Sequence, residues 1–337
     1  MNLVQRAVSA GGKLAPIVIP KDITFGTGLM NPSVMIDDDG DILVNLRHTN
    51  YTLFHSENTQ KFPSRWGPLA YLHPEKDAKL GTTNYLVRMN NNLEVTDYCL
   101  IDTSKNDIPP VWEFVGLEDA RLVKWDNKYY MVGVRRDVKP SGEGRMELVE
   151  IKINKKKWEA KEKSRIRIPA PGKDNSYCEK NWYPILDKPY YFIKWTSPVE
   201  VVKTYPDLPA RCEQVVVNPG LPVKFDLRGG SQMIRWNENA YISITHETEL
   251  FWNYLGQKDG IYRHRLCVWD NEFNLIGVSP DKFSFLDARI EFCAGAAKLK
   301  NDLLISFGFQ DNAAFILKVT EDVVEEMIQE ALTNEIN

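Results

Sequence analysis

The sequence has few cysteines, no large excess of charge and no long apolar run, and each shortage excludes a class of protein. Its 337 residues include five cysteines, which lie far apart and form no Cys-x-x-Cys pair. Cysteines spaced in this way predict neither a zinc site nor a disulfide framework. A net charge of -4 gives no general attraction to nucleic acid or to an anionic membrane.

Targeting segments and several common catalytic motifs are also missing. No window approaches ~18 consecutive apolar residues, so we predict no membrane-spanning helix. The first residues lack the apolar centre of a secretory signal, and we therefore expect a cytoplasmic protein. The sequence contains no Gly-x-Ser-x-Gly elbow, no His-Glu-x-x-His pair and no P-loop. These absences argue against esterase, zinc protease and NTPase chemistry.

What the sequence does contain is one pattern repeated five times: a cluster of polar or small residues, then two apolar runs around a turn. The copy at Gly116–Arg121 precedes Leu122–Trp125, a turn at Asp126–Asn127 and a second run at Tyr129–Val134. Two apolar runs around an Asp/Asn turn predict a β-hairpin. The clusters recur roughly every 50 to 85 residues, a period typical of propeller blades with insertions.

We therefore predict an all-β fold, a five-bladed β-propeller that forms one domain over residues 1–337. Its blades should start near residues 31, 116, 179, 228 and 291. Because the first strand of each propeller blade lines a central channel, the five clusters should meet at one mouth. A short C-terminal helix is predicted over 321–333, with Thr320 as N-cap and an apolar stripe on one face.

Three other segments invite functional interpretations that their patterns do not favour. Asp37–Asp41 lacks the spacing and the final glutamate of an EF-hand, so it predicts a hairpin tip and no metal site. The lysines at 155–157 predict the protected edge of a hairpin rather than a nucleic-acid site. Residues 54–80 are polar and contain prolines, which predicts a long loop over one face of the fold.

The residues expected at the mouth suit a sugar. Planar hydrogen-bonding side chains and aromatic faces bind sugars, and a carboxylic acid can protonate a glycosidic oxygen. Glu118 and Asp119 are adjacent carboxylates in the second cluster. Neighbours on a strand point to opposite faces, so only one of them needs to face the channel. The other could bind Arg121 or a neighbouring blade.

The segment Gly116–Arg121 resembles the Glu-Asp-Pro-Arg signature of glycoside hydrolase family 130, the β-mannoside phosphorylases and related hydrolases. Those proteins are five-bladed propellers, and the likeness extends over nearly the whole chain with one motif per blade. The other segments that resemble family motifs are Asn31–Ser33, Arg47 at a strand end, Lys180–Asn181 with Pro184, His246, and Gly308–Asp311.

The resemblance implies roles for individual residues. Asp119 would be the general acid, protonating the leaving oxygen through a sugar hydroxyl while inorganic phosphate attacks from the other side. His246 would help to hold an anion. Glu118 and Arg228 lie in the same clusters and are further substrate-binding candidates. The resemblance implies that the sugar is held by Asn31, Arg47, Arg121, Lys180, Asn181 and Asp311.

The chain departs from the family pattern at three places. Ala120 replaces a proline, Asn181 stands where aspartate is common, and Ile193–Trp195 replaces a strand end whose arginine helps to bind phosphate. Lysine does not reproduce a bidentate arginine–phosphate contact. The sequence thus leaves open whether the co-substrate is phosphate or an activated sugar. We expect no metal and no other cofactor.

The resulting hypothesis is an enzyme that makes or breaks a glycosidic bond to a mannose-like sugar, of phosphorylase or transferase type, with Asp119 as general acid/base. A glycoside hydrolase is an alternative within the same class. A second hypothesis is a non-catalytic carbohydrate-binding propeller. A third is a nucleic-acid-binding propeller, which the basic region 155–167 supports weakly and the net charge opposes. Each is compatible with a homo-oligomer.

Overall fold

In the computed structural model, the chain is mostly β-strand, with short helices at both ends. The structure describes residues 1–24, 28–51, 62–63, 70–71, 79–172, 176–206, 211–254, 256 and 258–333. The helices within these ranges are α1 (Leu3–Ser9), α2 (Lys21–Thr24) and α3 (Glu321–Thr333). The α3 helix thus occupies the range that the sequence predicts. None of the described helices has the length and apolar character that crossing a bilayer requires.

The strands follow one another along the whole described chain. They are β1 (Lys13–Pro16), β2 (Leu29–Ile36), β3 (Ile42–Thr49), β4 (Phe62–Pro63), β5 (Ala70–Tyr71), β6 (Leu80–Met89), β7 (Val95–Asp102), β8 (Phe114–Val115), β9 (Leu117–Trp125), β10 (Lys128–Arg135), β11 (Arg145–Asn154), β12 (Glu159–Arg167), β13 (Tyr183–Pro184), β14 (Tyr191–Trp195), β15 (Val199–Thr204), β16 (Cys212–Asn218), β17 (Ile234–Arg235), β18 (Tyr241–Trp252), β19 (Lys258–Trp269), β20 (Leu275–Val278), β21 (Glu291–Leu299), β22 (Asp302–Phe309) and β23 (Ala313–Val319).

Pairing arranges most of these strands in antiparallel sets of four. The sets run in the orders β2-β3-β6-β7, β9-β10-β11-β12, β13-β14-β15-β16, β17-β18-β19-β20 and β21-β22-β23-β1. Parallel pairing of Ile101 with Ala160 joins the first two sets into one sheet. The last set takes its outer strand from the start of the chain, because β1 pairs with β23. The prediction of an all-β, propeller-like fold is confirmed by this arrangement.

The sequence pattern explains the hairpins. Asp126 and Asn127 connect β9 to β10 and have φ of 50° and 59°. A two-residue hairpin turn of this type needs positive φ at both positions, and Asn and Asp tolerate that conformation. The predicted turn at these two residues is therefore confirmed.

One buried side chain joins four of the sets at the centre. Gln232, just before β17, donates through Nε2 to Ser33 Oγ at 3.0 Å and to the carbonyls of Val34 at 3.1 Å and Leu122 at 3.0 Å. Its Oε1 accepts from the amide of Ala296 at 2.9 Å. The starts of β2, β9 and β21 therefore meet around a residue from the fourth set.

The segment Asp37–Asp41 is the tip of the hairpin between β2 and β3, as predicted. Asp37 accepts hydrogen bonds from Lys124 at 2.7 Å and from Tyr129 at 2.6 Å, and it pairs with Lys155 at 2.6 Å. These contacts join the first set to the second. Among the described residues, no group of His, Cys, Asp and Glu is arranged to hold a metal ion. The loop predicted over 54–80 falls mostly outside the described residues.

Candidate functional site

Three predicted site residues share an unusual backbone conformation at the start of a set. Asn31, Asp119 and Asn181 have φ of 45°, 50° and 61°. Such left-handed conformations are uncommon outside glycine, and Asn and Asp are the residues that adopt them most readily. The pairing of β2 and of β9 is interrupted by a bulge at Asn31 and at Asp119. Bulges redirect side chains and often lie beside functional sites.

Asp119 is the centre of the polar cluster that results. Its Oδ1 accepts from Asn31 Nδ2 at 2.7 Å and from the guanidinium of Arg47 at 2.6 Å. Arg47 also lies 3.5 Å from Glu118 Oε2 and donates to Tyr51 at 3.0 Å. The adjacent carboxylates of Glu118 and Asp119 therefore both contact one buried arginine, because the left-handed residue interrupts the alternation of the strand.

The carboxyl groups of the site differ in acidity. Burial alone would raise the pKa of Asp119, but the charges of Arg47 and Arg121 and the hydrogen bond from Asn31 hold it below its ordinary value. Burial raises the pKa of Glu118, and Arg47 only partly opposes this. Burial also raises the pKa of Asp311 to about 6, with Arg47 opposing and Asp119 adding to the rise. At neutral pH the cluster therefore contains an ionised Asp119 beside two carboxyls that take up protons more readily.

The raised pKa of Asp311 predicts a stability that depends on pH. The folded state binds this proton more tightly than the unfolded state, whose pKa is near 3.8. The stabilisation that this proton gives the folded state is therefore complete below about pH 4 and is lost as the pH rises through about 6. We expect Asp311→Asn to remove this loss, so that the variant gains up to about 2 kcal/mol on the wild type between about pH 4 and pH 8. Urea unfolding across that range measures the difference, and a constant difference would contradict the assignment.

His246 contributes a neutral imidazole. Its Nδ1 lies 2.6 Å from the carbonyl oxygen of Gly229, and because a carbonyl only accepts, Nδ1 carries the proton and Nε2 is an acceptor. Burial lowers the pKa of His246 to about 3. The ring stacks on Tyr262, with centroids 5.3 Å apart. A neutral acceptor suits a hydroxyl group better than an anion, and the expectation that His246 holds an anion stays a prediction.

Arg121 is completely buried, and its guanidinium bonds backbone oxygens. It donates to the carbonyl of Gly230 at 2.9 and 3.0 Å and to the carbonyl of Asp119 at 2.7 Å. The structure thus places Arg121 beneath the site, where it fixes the backbone of Asp119 against the fourth set. This is a positioning role, and it differs from the sugar contact that the resemblance implies.

Two cations lie on the side of the site formed by the third and fourth sets. Lys180 is exposed, and its charge acts on both Glu118 and His246. Arg228 pairs with Asp226 at 2.8 Å and is partly exposed. Next to Lys180, the carbonyl of Asn181 packs so closely on Gly229 that a Cβ there would lie 1.8 Å from it. Glycine at 229 is therefore required for the two sets to meet.

Lys194, which stands where the family has a phosphate-binding arginine, is buried among carboxylates. Its Nζ lies 3.1 Å from Glu200 and 3.9 Å from Glu179. Moving this ammonium to a ligand would leave two carboxylates buried without their partner, which is costly. The strand end Ile193–Trp195, where the sequence departs from the family pattern, therefore holds a buried ion pair.

The structure also brings Tyr262 to the site, which the motifs do not indicate. Tyr262 stacks on His246, and its pKa is raised to about 12 by burial and by the charges of Asp311 and Asp119. Gln310 has a buried Oε1, and within the described residues this atom has no hydrogen-bond partner. The same is true of Glu118 Oε1 and Arg47 Nε. Gln310 directly precedes Asp311 in a motif, whereas nothing in the sequence marks Tyr262.

The fold is similar to that of several solved structures, although the sequence comparisons find no match. No protein-family model matches the sequence, and no curated protein matches it. A solved structure of β-1,2-mannobiose phosphorylase from Listeria innocua is similar, with a TM-score of 0.55, 13% identity, and coverage of 95% of this chain and 97% of that one. A glycosyl hydrolase from Bacteroides ovatus has a TM-score of 0.57 and 11% identity, over 88% of this chain and 85% of the other.

A further similar structure was described for the glycoside hydrolase family 130 of mannoside phosphorylases, which contains hydrolases that target β-1,2 mannosidic linkages in Candida mannan. Its TM-score is 0.58 and its identity 11%, over 88% of this chain and 85% of the other. At these identities the likeness concerns the fold. The resemblance that the sequence motifs indicate is thereby confirmed at the level of the fold.

Proposed function

We propose that the chain is a carbohydrate-active enzyme that makes or breaks a glycosidic bond to a mannose-like sugar, with Asp119 as the acid/base group. The observation that carries this proposal is the set of buried polar atoms in the cluster around Asp119 that have no partner among the described residues: Asn31 Oδ1, Glu118 Oε1 and Arg47 Nε. Buried polar atoms are normally satisfied, so unpartnered ones in a cluster indicate a ligand. Sugar hydroxyls both donate and accept, and therefore fit this mixture.

We further propose that the five sets of strands are the blades of a five-bladed propeller and that the site lies at its axial mouth. Asn31 and Arg47 come from the first set, Asp119 from the second, His246 from the fourth and Asp311 from the end of β22 in the fifth. The mannoside phosphorylase and hydrolases with a similar fold support the choice of sugar.

The lowered pKa of Asp119 favours the bond-making direction. An ionised carboxylate can accept the proton of an acceptor hydroxyl as that oxygen bonds to the anomeric carbon of a sugar phosphate or nucleotide sugar. The bond from the anomeric carbon to the phosphate oxygen breaks in the same step, and the phosphate leaves with the electron pair. In the reverse direction the protonated Asp119 gives the proton back to the leaving oxygen, since the two directions share one path. Arg47 and Asn31 hold the carboxylate in place throughout. We therefore favour a transferase or phosphorylase over a hydrolase.

An anionic co-substrate would bind at Lys180 and Arg228, because Lys194 is committed to Glu200 and Glu179. We expect Lys180→Ala to weaken the binding of mannose 1-phosphate about tenfold, or about 1.4 kcal/mol, while the affinity for mannose changes little. Titration calorimetry with both ligands measures this. Lys188→Ala is the matched control, since Lys188 is an exposed lysine of the same set in the turn between β13 and β14. Equal losses for mannose and its phosphate would argue against a separate anion site.

A thermal-shift screen of the wild-type protein tests the proposed function. The ligands are inorganic phosphate, mannose, mannose 1-phosphate and a panel of nucleotide sugars. A ligand at about 100 times its dissociation constant adds about 2.7 kcal/mol to the free energy of unfolding. A shift with mannose 1-phosphate and no nucleotide sugar identifies a phosphorylase, and a shift with one nucleotide sugar identifies a transferase and its donor. A screen in which no sugar ligand shifts the transition would contradict the proposal.

A further inference from the structure

Arg136 lies beside the candidate site, although none of the motifs contains it. The pairing of β9 with β10 ends where Arg135 stands opposite Leu117, the residue before Glu118. Arg136 follows directly, just beyond the end of β10. It is therefore on the same edge of the second set as the carboxyls of the site, and its charge acts on Glu118.

Aromatic rings and two hydrogen bonds hold the guanidinium of Arg136 in place. The group lies over the rings of Phe114 and Tyr177, 5.7 and 5.6 Å from their centroids. Its Nε donates to the carbonyl of Gly142 at 3.1 Å, and its Nη2 donates to the hydroxyl of Tyr177 at 3.1 Å. Arginine has five N–H donors, so this arrangement fixes the side chain and uses only two of them.

No carboxylate among the described residues pairs with Arg136 or with Lys180. Other arginines of the second set do have such partners, namely Arg135, Arg145, Arg165 and Arg167. Arg136 contacts Tyr177, which precedes Lys180 by three residues, so the two cations flank the junction of the second and third sets. Cations without carboxylate partners at the edge of a site attract an anion. Arg136 therefore adds a cation from the second set to Lys180 and Arg228.

Glu118 is the less firmly paired of the two carboxyls that share Arg47. Arg47 lies 3.5 Å from Glu118 and 2.6 Å from Asp119. The second oxygen of Glu118, Oε1, is buried and has no partner in the described part of the chain. Burial favours a neutral Glu118, whereas the charges of Arg136 and Lys180 favour the ionised form. The charged and titratable groups that interact with Glu118 are Arg47, Tyr51, Asp119, Arg136 and Lys180.

We propose that Arg136 and Lys180 bind a phosphate group of the co-substrate and that Glu118 takes up a proton as this group binds, which rests on the proposed function. The planar fork of arginine bonds phosphate oxygens in pairs. A bound dianion offsets the two positive charges and adds a negative one, so it disfavours an ionised Glu118. The neutral carboxyl can donate to a phosphate oxygen and leaves Arg47 to Asp119. Inorganic phosphate, a sugar phosphate and a nucleotide sugar share this chemistry.

Titration calorimetry on the full chain tests the contribution of Arg136. The ligands are inorganic phosphate, mannose 1-phosphate and GDP-mannose. Arg136→Met should weaken the phosphate ligand that the wild-type protein binds by at least about tenfold, because methionine can still pack between the two rings but carries no charge. Lys139→Ala is the matched control, since Lys139 is an exposed cation three residues farther along and pairs with Glu143 at 2.8 Å. It should leave the affinity unchanged.

The same titrations identify the source of the phosphate group. Binding of inorganic phosphate or mannose 1-phosphate supports a free phosphate or sugar phosphate, and binding of GDP-mannose alone supports a nucleotide sugar. An affinity that Arg136→Met does not change would overturn the assignment of Arg136. Circular dichroism checks that this variant folds, and Arg136→Lys, which keeps the charge and loses the fork, should bind with intermediate affinity.

The proton is measured with sulfate, which has the shape and charge of phosphate but exchanges no proton near neutral pH, as phosphate does. Titration in two buffers of different ionisation enthalpy should show proton uptake on binding, and the affinity should fall as the pH rises, by up to about tenfold per unit. Asp311 also titrates in this range, so Glu118→Gln is needed to assign the proton. This variant should still bind sulfate but without proton uptake.

The contradicting outcomes separate this inference from the proposed function. Phosphate binding without proton uptake, or uptake that persists in Glu118→Gln, would overturn the role of Glu118 and leave the proposed function standing. Binding of mannose but of no phosphate ligand would reject the phosphate site and favour a hydrolase. Absence of binding for every ligand, together with a silent ligand screen, would reject both the inference and the proposed function.

Discussion

Asp119→Asn should lower the turnover of the glycosidic reaction at least about a thousandfold, which corresponds to about 4 kcal/mol of transition-state stabilisation. Asparagine has the same shape and still accepts the hydrogen bonds from Asn31 and Arg47, but it neither takes up nor releases a proton at the pH of the reaction. The expected loss is therefore in the chemical step, and substrate affinity should change much less. Steady-state kinetics on the substrate found by the ligand screen separates the two quantities.

The matched control for this variant is Asp126→Asn. Asp126 is exposed at the turn between β9 and β10, and its φ of 50° equals that of Asp119. Asn at either position keeps the left-handed backbone, so a difference between the two variants reports on the site. Turnover of Asp119→Asn at the wild-type rate would contradict the acid/base role of Asp119, whereas saccharide binding without turnover in the wild-type protein would favour a non-catalytic propeller.

The same variant has a second, independent readout. The charge of Asp119 raises the pKa of both Glu118 and Asp311, so its removal should lower both values. Carboxyl titration by NMR measures this change. If Asp119→Asn abolishes turnover and leaves the titration of Asp311 unchanged, the two carboxyls are not coupled in the way that the structure indicates.

The sequence indicated the hairpins and the clusters because both depend on local chemistry. Turn residues such as Asp126 and Asn127 specify a two-residue connection by themselves, and each polar cluster directly precedes its hairpin. The sequence could also predict that Asn31, Asp119 and Asp311 come together, because a repeat period relates positions in the chain to positions around an axis.

The partners of these residues could not be predicted, because they depend on contacts between distant segments. Arg121 looked like a substrate ligand, but its guanidinium is occupied by the carbonyl of Gly230, which is 109 residues away. The protonation of His246 follows from its burial and from one carbonyl of the same set. Tyr262 reaches the site only because β19 pairs with β18 in one particular register. None of these facts is a property of local sequence.

Gln232 shows the same dependence on distant segments in the fold itself, and Gln232→Leu should be the most destabilising of the substitutions considered. Leucine has a similar volume but removes two N–H donors, which three oxygens share, and one acceptor at a fully buried position. Each buried group left unsatisfied costs about 1–3 kcal/mol. We therefore expect a loss of at least about 4 kcal/mol in the free energy of unfolding, which is exceptional for one substitution.

Urea unfolding of Gln232→Leu measures this loss, with Gln329→Leu as the control on the exposed face of α3. The control should change the free energy of unfolding by less than about 0.5 kcal/mol. Gln232→Glu separates the donated bonds from the accepted one. Its ionised carboxylate still accepts from Ala296 but can donate to none of the three oxygens. This variant should therefore also lower the free energy of unfolding, and more at neutral than at acidic pH. A loss for Gln232→Leu close to that of the control would mean that the sets are held together by apolar packing alone. The hydrogen bonds at the centre would then only determine how the strands that carry Asn31 and Asp119 are aligned.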